Sequence, residues 1–152
     1  MKLAELLNER KAVKEEIKKI KQRLELSSKV QEGDKDPVES PEDLKLTLLL
    51  LYGKLKDLIV KINLTNSETM IEGKSLMELI AERDKNIALA TSLHSLAEEA
   101  TPKQERFSRK EIRFLPTVNV KELRKEADIY SKKAREIDSK IQSANWNIEV
   151  VI

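Results

Sequence analysis

Few residues in this chain have the types and spacing that chemistry requires. His94 is its only histidine and it has no cysteine, which rules out thiol catalysis, disulfides and thiolate metal sites. A zinc or di-iron centre in a helical protein draws on several His or carboxylate ligands, typically Glu-x-x-His pairs on facing helices. His94 belongs to no such pair, and Leu93 and Leu96 beside it suit a packed or half-exposed imidazole. A glycine-rich phosphate loop, a nucleophile elbow and an EF-hand loop are all missing. The sequence therefore points to no catalytic, cofactor-binding or metal-binding residue, to no cofactor and to no small-molecule substrate. Asn63-Leu64-Thr65 fits the glycosylation acceptor pattern, but so short a pattern arises by chance and no secretion signal precedes it.

More telling are polar residues that fall at or beside the apolar side of periodic segments: Arg10, Asn63, Asn66, Arg83 and the adjacent Asp84. A charged or amide group in such a seam destabilises unless it is paired, yet it can fix helix register and oligomer state. Arg83 is expected to reach the Asn63 and Asn66 end of the second helix and form a half-buried polar network. The competing reading extends its guanidinium to water. A catalytic version of the cluster lacks an evident nucleophile or metal site.

A second constellation runs from Lys103 to Arg113, where Lys103, Arg106, Arg109, Lys110 and Arg113 are interleaved with Phe107 and Ile112. Basic residues with aromatics suit nucleic acid or an anionic membrane. Glu105 and Glu111 dilute the charge, and the acidic loop with Asp34, Asp36 and Glu39 offers an internal or intersubunit partner. A solvated face or a subunit contact is the favoured reading, and nucleic-acid binding the minor one.

Helices must position these residues. Leu44, Leu48, Leu51, Leu55, Leu58 and Ile62 recur at alternating spacings of four and three, one continuous apolar seam. Leu46, Leu49, Leu50, Ile59 and Val60 widen it, so this segment is expected to be a central helix touching neighbours on more than one side. Ser40, Pro41 and Asp43 signal its start. Gly53 inside it should cost about 1 kcal/mol relative to Ala; either a neighbouring backbone approaches closely there or the position is tolerated.

Leu3, Leu6, Arg10, Val13, Ile17, Ile20 and Leu24 mark an earlier seam with the same rhythm. Ser75 with Glu78 opens a third helix, Pro102 stops it, and Asn119 with Glu122 opens a fourth. The expected architecture is a single all-α domain over 1–152, four helices at roughly 2–29, 41–66, 75–100 and 120–144 in an antiparallel bundle. Gly33 and Pro37 interrupt the first link, and Gly73 should supply a positive φ in the second.

Two segments depart from a plain bundle. The connection from Thr101 to Val118 is longer than the roughly 2 to 8 residues usual between bundle helices. Ile112 and Phe114 alternate with charged residues there, and Trp146, Ile148, Val150 and Ile152 alternate in the tail. A short extended ribbon joining about 111–118 to 146–152, within or between chains, is one expectation; flexible arms are the other. Phe107, Ile112, Phe114, Gln142, Asn145 and Trp146 are the candidate contact residues.

Bulk composition agrees with long solvent-facing helices. Lys and Arg number 29 against 27 acidic residues, a net charge of +2 that gives no general reason to expect a polyanion partner. One Trp, two Tyr and two Phe with three Gly argue against a sandwich, barrel or nucleotide-binding fold. The N-terminus enters a charged amphipathic pattern without the apolar block of a signal peptide, so a cytoplasmic location is the expectation. No apolar run approaches the roughly 20 residues a spanning helix needs.

The polar landmarks also resemble a known family. MKLAELLNER at the start, Gln22-Arg23-Leu24, Lys29-Val30-Gln31-Glu32-Gly33, Ile62-Asn63 with Thr65-Asn66, Glu82-Arg83-Asp84, Glu111-Ile112 and Gln142 with Asn145-Trp146 are similar to the septicolysin-like family of uncharacterised small bacterial proteins. The resemblance spans essentially the whole chain and keeps the order of the landmarks. It implies that polar stretches at helix ends and links are the interaction or assembly sites. Its name suggests a cytolysin but brings no residue-level mechanism. Asn119 stands where the family is expected to prefer Asp, and both cap helices.

The leading functional expectation is a non-enzymatic, cytoplasmic helical protein that self-associates, coiled-coil seams supplying the contacts. The alternative is a membrane-active protein whose apolar helix becomes exposed, disfavoured by the short apolar runs.

Overall fold

The computed structural model describes residues 1–103 and 112–150. It is all-α, with four long helices, as the periodicity predicts, and one short two-stranded ribbon. α1 spans Leu3–Leu26, α2 Pro41–Glu68, α3 Leu76–Ala100 and α4 Val120–Asn147; the ribbon pairs β1, Met70–Ile71, with β2, Lys74–Ser75. The chain divides into two compact units, Met1–Met70 with Ala144–Ile152, and Ile71–Ser143.

In the first unit α1 and α2 pack along each other. Leu3, Leu6, Val13, Ile17 and Ile20 of α1 are buried, as are Leu44, Leu58, Ile62 and Thr65 of α2. Both seams have the predicted rhythm, so the two helices meet as stripes rather than points. Glu9 pairs with Lys54 at 2.7 Å, and Arg23 grips Glu39, its Nε 2.9 Å from Oε2 and its Nη2 on Oε1. As the partner number on α1 rises, the partner number beyond it falls, which makes the pairing antiparallel. The Arg23 hydrogen bond lowers the Glu39 pKa, against a smaller opposing effect of burial.

Caps explain where the helices start. Ser40 Oγ accepts from Asp43 N at 3.3 Å with Pro41 in the first turn. α1 begins where Lys2 N donates to Glu5 Oε2 at 2.7 Å. Its last helical residue is Leu26, three residues before the expected end, and Ser27 N–H bonds Arg23 O at 3.0 Å.

Within its own unit α2 has one helical neighbour, α1, rather than the several its composition suggests. One side packs; Leu46, Leu49, Leu50, Val60 and Leu64 are exposed. The widening of the seam is a second apolar face, for which the described residues supply no cover.

In the second unit Glu72 and Gly73 both take positive φ, 51° and 84°, and close the two-residue turn of the ribbon. Gly73 thus adopts the conformation expected of it. Ser75 and Glu78 form the predicted capping box: Ser75 Oγ accepts from Glu78 N at 3.1 Å, and Glu78 Oε2 accepts from Ser75 N at 2.9 Å. α3 stops at Thr101, extended before Pro102. α4 starts where Asn119 Oδ1 accepts from Glu122 N at 3.1 Å. Ala90 and Ala97 of α3 and Ala127 and Ala134 of α4 are buried at seven-residue intervals, small side chains that suit close helix approach.

The ribbon expected between about 111–118 and 146–152 is not formed by the described part of those segments; residues 111, 151 and 152 lie outside the described residues. Residues 112–116 are outside any strand, and Trp146 and Asn147 are still helical. Continued i to i+4 bonding extends α4, with Ile148 N reaching Ala144 O at 2.9 Å. Residues 148–150 beyond it pair antiparallel with the N-terminus: Leu3 N donates to Ile148 O and Val150 N to Met1 O, both at 3.0 Å.

Candidate functional site

The densest polar cluster lies between α3 and α4 in the second unit. Arg83 shares a seven-residue register with Leu76, Ala90 and Ala97, so its stem starts on the packed side of α3. Its Nη1 donates to Asp138 Oδ1 on α4 at 2.9 Å. Nη2 and Nε both donate to Asp84 Oδ1, at 2.9 and 3.0 Å. The Arg83 side chain is 23% exposed and that of Asp138 43%. Burial by itself lowers the Arg83 pKa, but its hydrogen bonds to Asp138 and Asp84 and their negative charge together outweigh it and raise the group above its ordinary value. The guanidinium is a fixed cation clamped by two carboxylates.

This corrects the expected network. The Arg83 hydrogen bonds go to Asp84 and Asp138 rather than to Asn63 and Asn66, and the guanidinium is not left to water either. A long side chain at an antiparallel helix interface finds partners at its own level on the facing helix, and that level is Asp138. Further along, His94 Nε2 stands 3.6 Å from Asp128 Oδ1, too far for a hydrogen bond. Advancing on α3 from Arg83 to His94 retreats on α4 from Asp138 to Asp128, so these helices too are antiparallel.

Between the two pairs is an open groove of about 680 Å³ whose walls include Ile87, Thr91, Ser131 and Arg135. Ser139 closes its hydroxyl onto Arg135 O at 3.1 Å. No side chain in the groove has the hydroxyl–imidazole–carboxylate alignment of an activated nucleophile. Among the described residues no group of three or more His, Asp or Glu is placed to hold a metal ion. What the cluster shows is an ion pair that links α3 to α4 at one level.

The other expected site residues are scattered. Arg10 is half-buried on α1, and its neighbour Glu9, not Arg10, bridges to α2. Asn63 is exposed and Asn66 half-buried near the end of α2. Between them Thr65 is fully buried, its Oγ1 donating to Lys61 O at 2.9 Å. Of the contact candidates, Ile112, Phe114, Gln142 and Trp146 are exposed and Asn145 is buried. Phe107 and most of the basic span lie outside the described residues.

Sequence reasoning missed a clasp at the chain ends. Lys2 Nζ lies 2.7 Å from Glu149 Oε1 and donates to Asn147 O at 3.1 Å, while the N-terminal ammonium donates to Glu149 Oε2 at 2.9 Å. Hydrogen bonds from Lys2 and the N-terminus pull the Glu149 pKa from 4.5 to about 2. The alternating tail was a signal for an extended segment. Met1 to Leu3 are too few to show a period, so their part in it was invisible.

Residues 10–150 match the family of unknown function DUF6847, and the chain belongs to that family. Among curated proteins none matches. The chain is similar to a functionally unknown conserved protein from Corynebacterium diphtheriae, solved by crystallography, at 37% identity, 99% coverage of both chains and a TM-score of 0.92. Among the described residues no helix is long and apolar enough to cross a membrane.

Proposed function

We propose that this DUF6847 member is a non-enzymatic helical protein of the cytoplasm that acts by self-association. The observation that carries the reading is the apolar surface left on a charged, well-capped protein: Leu50 is 76% exposed, Leu49 62%, Leu46 56% and Val60 49%, all on one helix. Contiguous apolar patches of this kind mark interaction sites. Arg83, the most conspicuous polar side chain, is occupied by two carboxylates and free for neither substrate nor proton transfer. The septicolysin-like resemblance points to polar stretches at helix ends and links and adds no residue to this apolar face.

The reading is tested by cross-linking in intact bacterial cells expressing the tagged chain, followed by fractionation. A cross-linked band at twice the chain mass in the cytoplasmic fraction is expected. Only uncross-linked chain, or a chain held in the membrane fraction, would overturn it.

A further inference from the structure

The outer face of α2 has a pattern of its own. Leu46, Leu50, Gly53, Asp57, Val60 and Leu64 alternate spacings of four and three, a second seam displaced by two residues from the one that meets α1. Two residues are about 200° of helix rotation, so the second seam faces away from the first. Gly53 sits at its middle. A Cβ built there meets nothing within 4 Å, so no contact among the described residues asks for glycine in the centre of a 28-residue helix. Toward α1, Gly53 also borders a groove of about 520 Å³ lined by Leu6, Glu9, Lys54 and Leu58.

The seam is also self-complementary. Turned end for end about the midpoint between Gly53 and Asp57, it sets Leu46 against Leu64, Leu50 against Val60 and Gly53 against Asp57. We propose that the outer face of α2 packs antiparallel on the same face of a second copy, each Asp57 entering the notch at the partner's Gly53 beside the partner's Lys54. This rests on the self-association reading and names its contact.

Charge selects the orientation. A parallel pair would stack Asp57 on Asp57, two like charges in a desolvating seam. The antiparallel pair separates the two carboxylates and brings each beside the partner's Lys54, which is 51% exposed while bonded to Glu9 of its own chain, and it repeats the same contacts twice, as an isologous two-fold interface does. Asp57 now rests on Lys56 at 2.9 Å with both side chains more than half exposed, so it is available to a partner.

Three variants, measured by light scattering on the full chain, test the contact. Leu50→Glu should keep the parent circular dichroism and be monomeric where the parent is dimeric. Gly53→Ala should melt higher than the parent, because alanine favours helix and meets no neighbour, yet self-associate at least about tenfold more weakly. Leu50→Cys combined with Val60→Cys should form disulfide-linked dimers, and Leu50→Cys alone should not. Within one chain those positions lie about 15 Å apart, beyond disulfide reach. A parent that stays monomeric at hundreds of micromolar overturns the self-association reading itself. A dimer indifferent to Leu50→Glu and Gly53→Ala, or one cross-linked by Leu50→Cys alone, leaves that reading standing and overturns this contact.

Discussion

Arg83 shows how a single charged side chain at a helix interface acts as a ruler. Its bonds to Asp84 and Asp138 are charge-assisted and partly shielded from water, conditions in which such pairs contribute more than exposed ones. In a double-mutant cycle with Arg83→Met and Asp138→Asn, measured by urea unfolding, the coupling should be about 1 kcal/mol. A coupling near zero would mean that the pair does not hold the register. Glu149 makes a pH prediction. Its pKa is depressed from 4.5 to about 2, so its stabilising contribution is complete above the unfolded value and fades as pH falls between those two limits. Glu149→Gln should flatten the dependence of thermal midpoint on pH in that window, and the Leu3 and Val150 amides should exchange faster in the variant at neutral pH. An unchanged acid slope would contradict the clasp. That Arg83 needed partners was legible from its seam position. Which partners was not, because Asp138 is marked only by a register that exists once α3 and α4 are side by side.

Among the elements, starts were more legible than ends or neighbours. Ser40, Ser75 and Asn119 all accept the backbone hydrogen bonds their spacing implies, because a cap is decided within four residues. Ser75→Ala should therefore lower stability by about 1 kcal/mol, read from urea unfolding. Helix ends lacking a glycine or proline moved by two or three residues, as α1 and α4 did. The breadth of the α2 seam was read as several neighbours, since hydrophobic periodicity reports which faces avoid water but not what covers them. Gly53 follows the same logic. Its cost of about 1 kcal/mol in a helix interior goes uncompensated by any contact within 4 Å. Gly53→Ala should accordingly raise the thermal midpoint by about 2 to 4 °C, and a lower midpoint would reveal a close neighbour after all.

For the whole molecule, the all-α class and the four helices followed from composition and period, because a charged chain with few aromatics has little other way to bury three-four seams. The termini and the candidate interface did not, since both depend on segments distant in sequence or on another chain. Among the described residues apolar surface on α2 is left exposed, and the proposed association would remove it from water. A seam of about five turns is modest for an interface, which points to a concentration-dependent dimer rather than an obligate one. Sedimentation velocity on the unmodified chain, from low micromolar to several hundred micromolar, tests this most directly. The expected result is a shift from a species of 17.5 kDa toward one of twice that mass. A single 17.5 kDa species at every concentration would contradict the account.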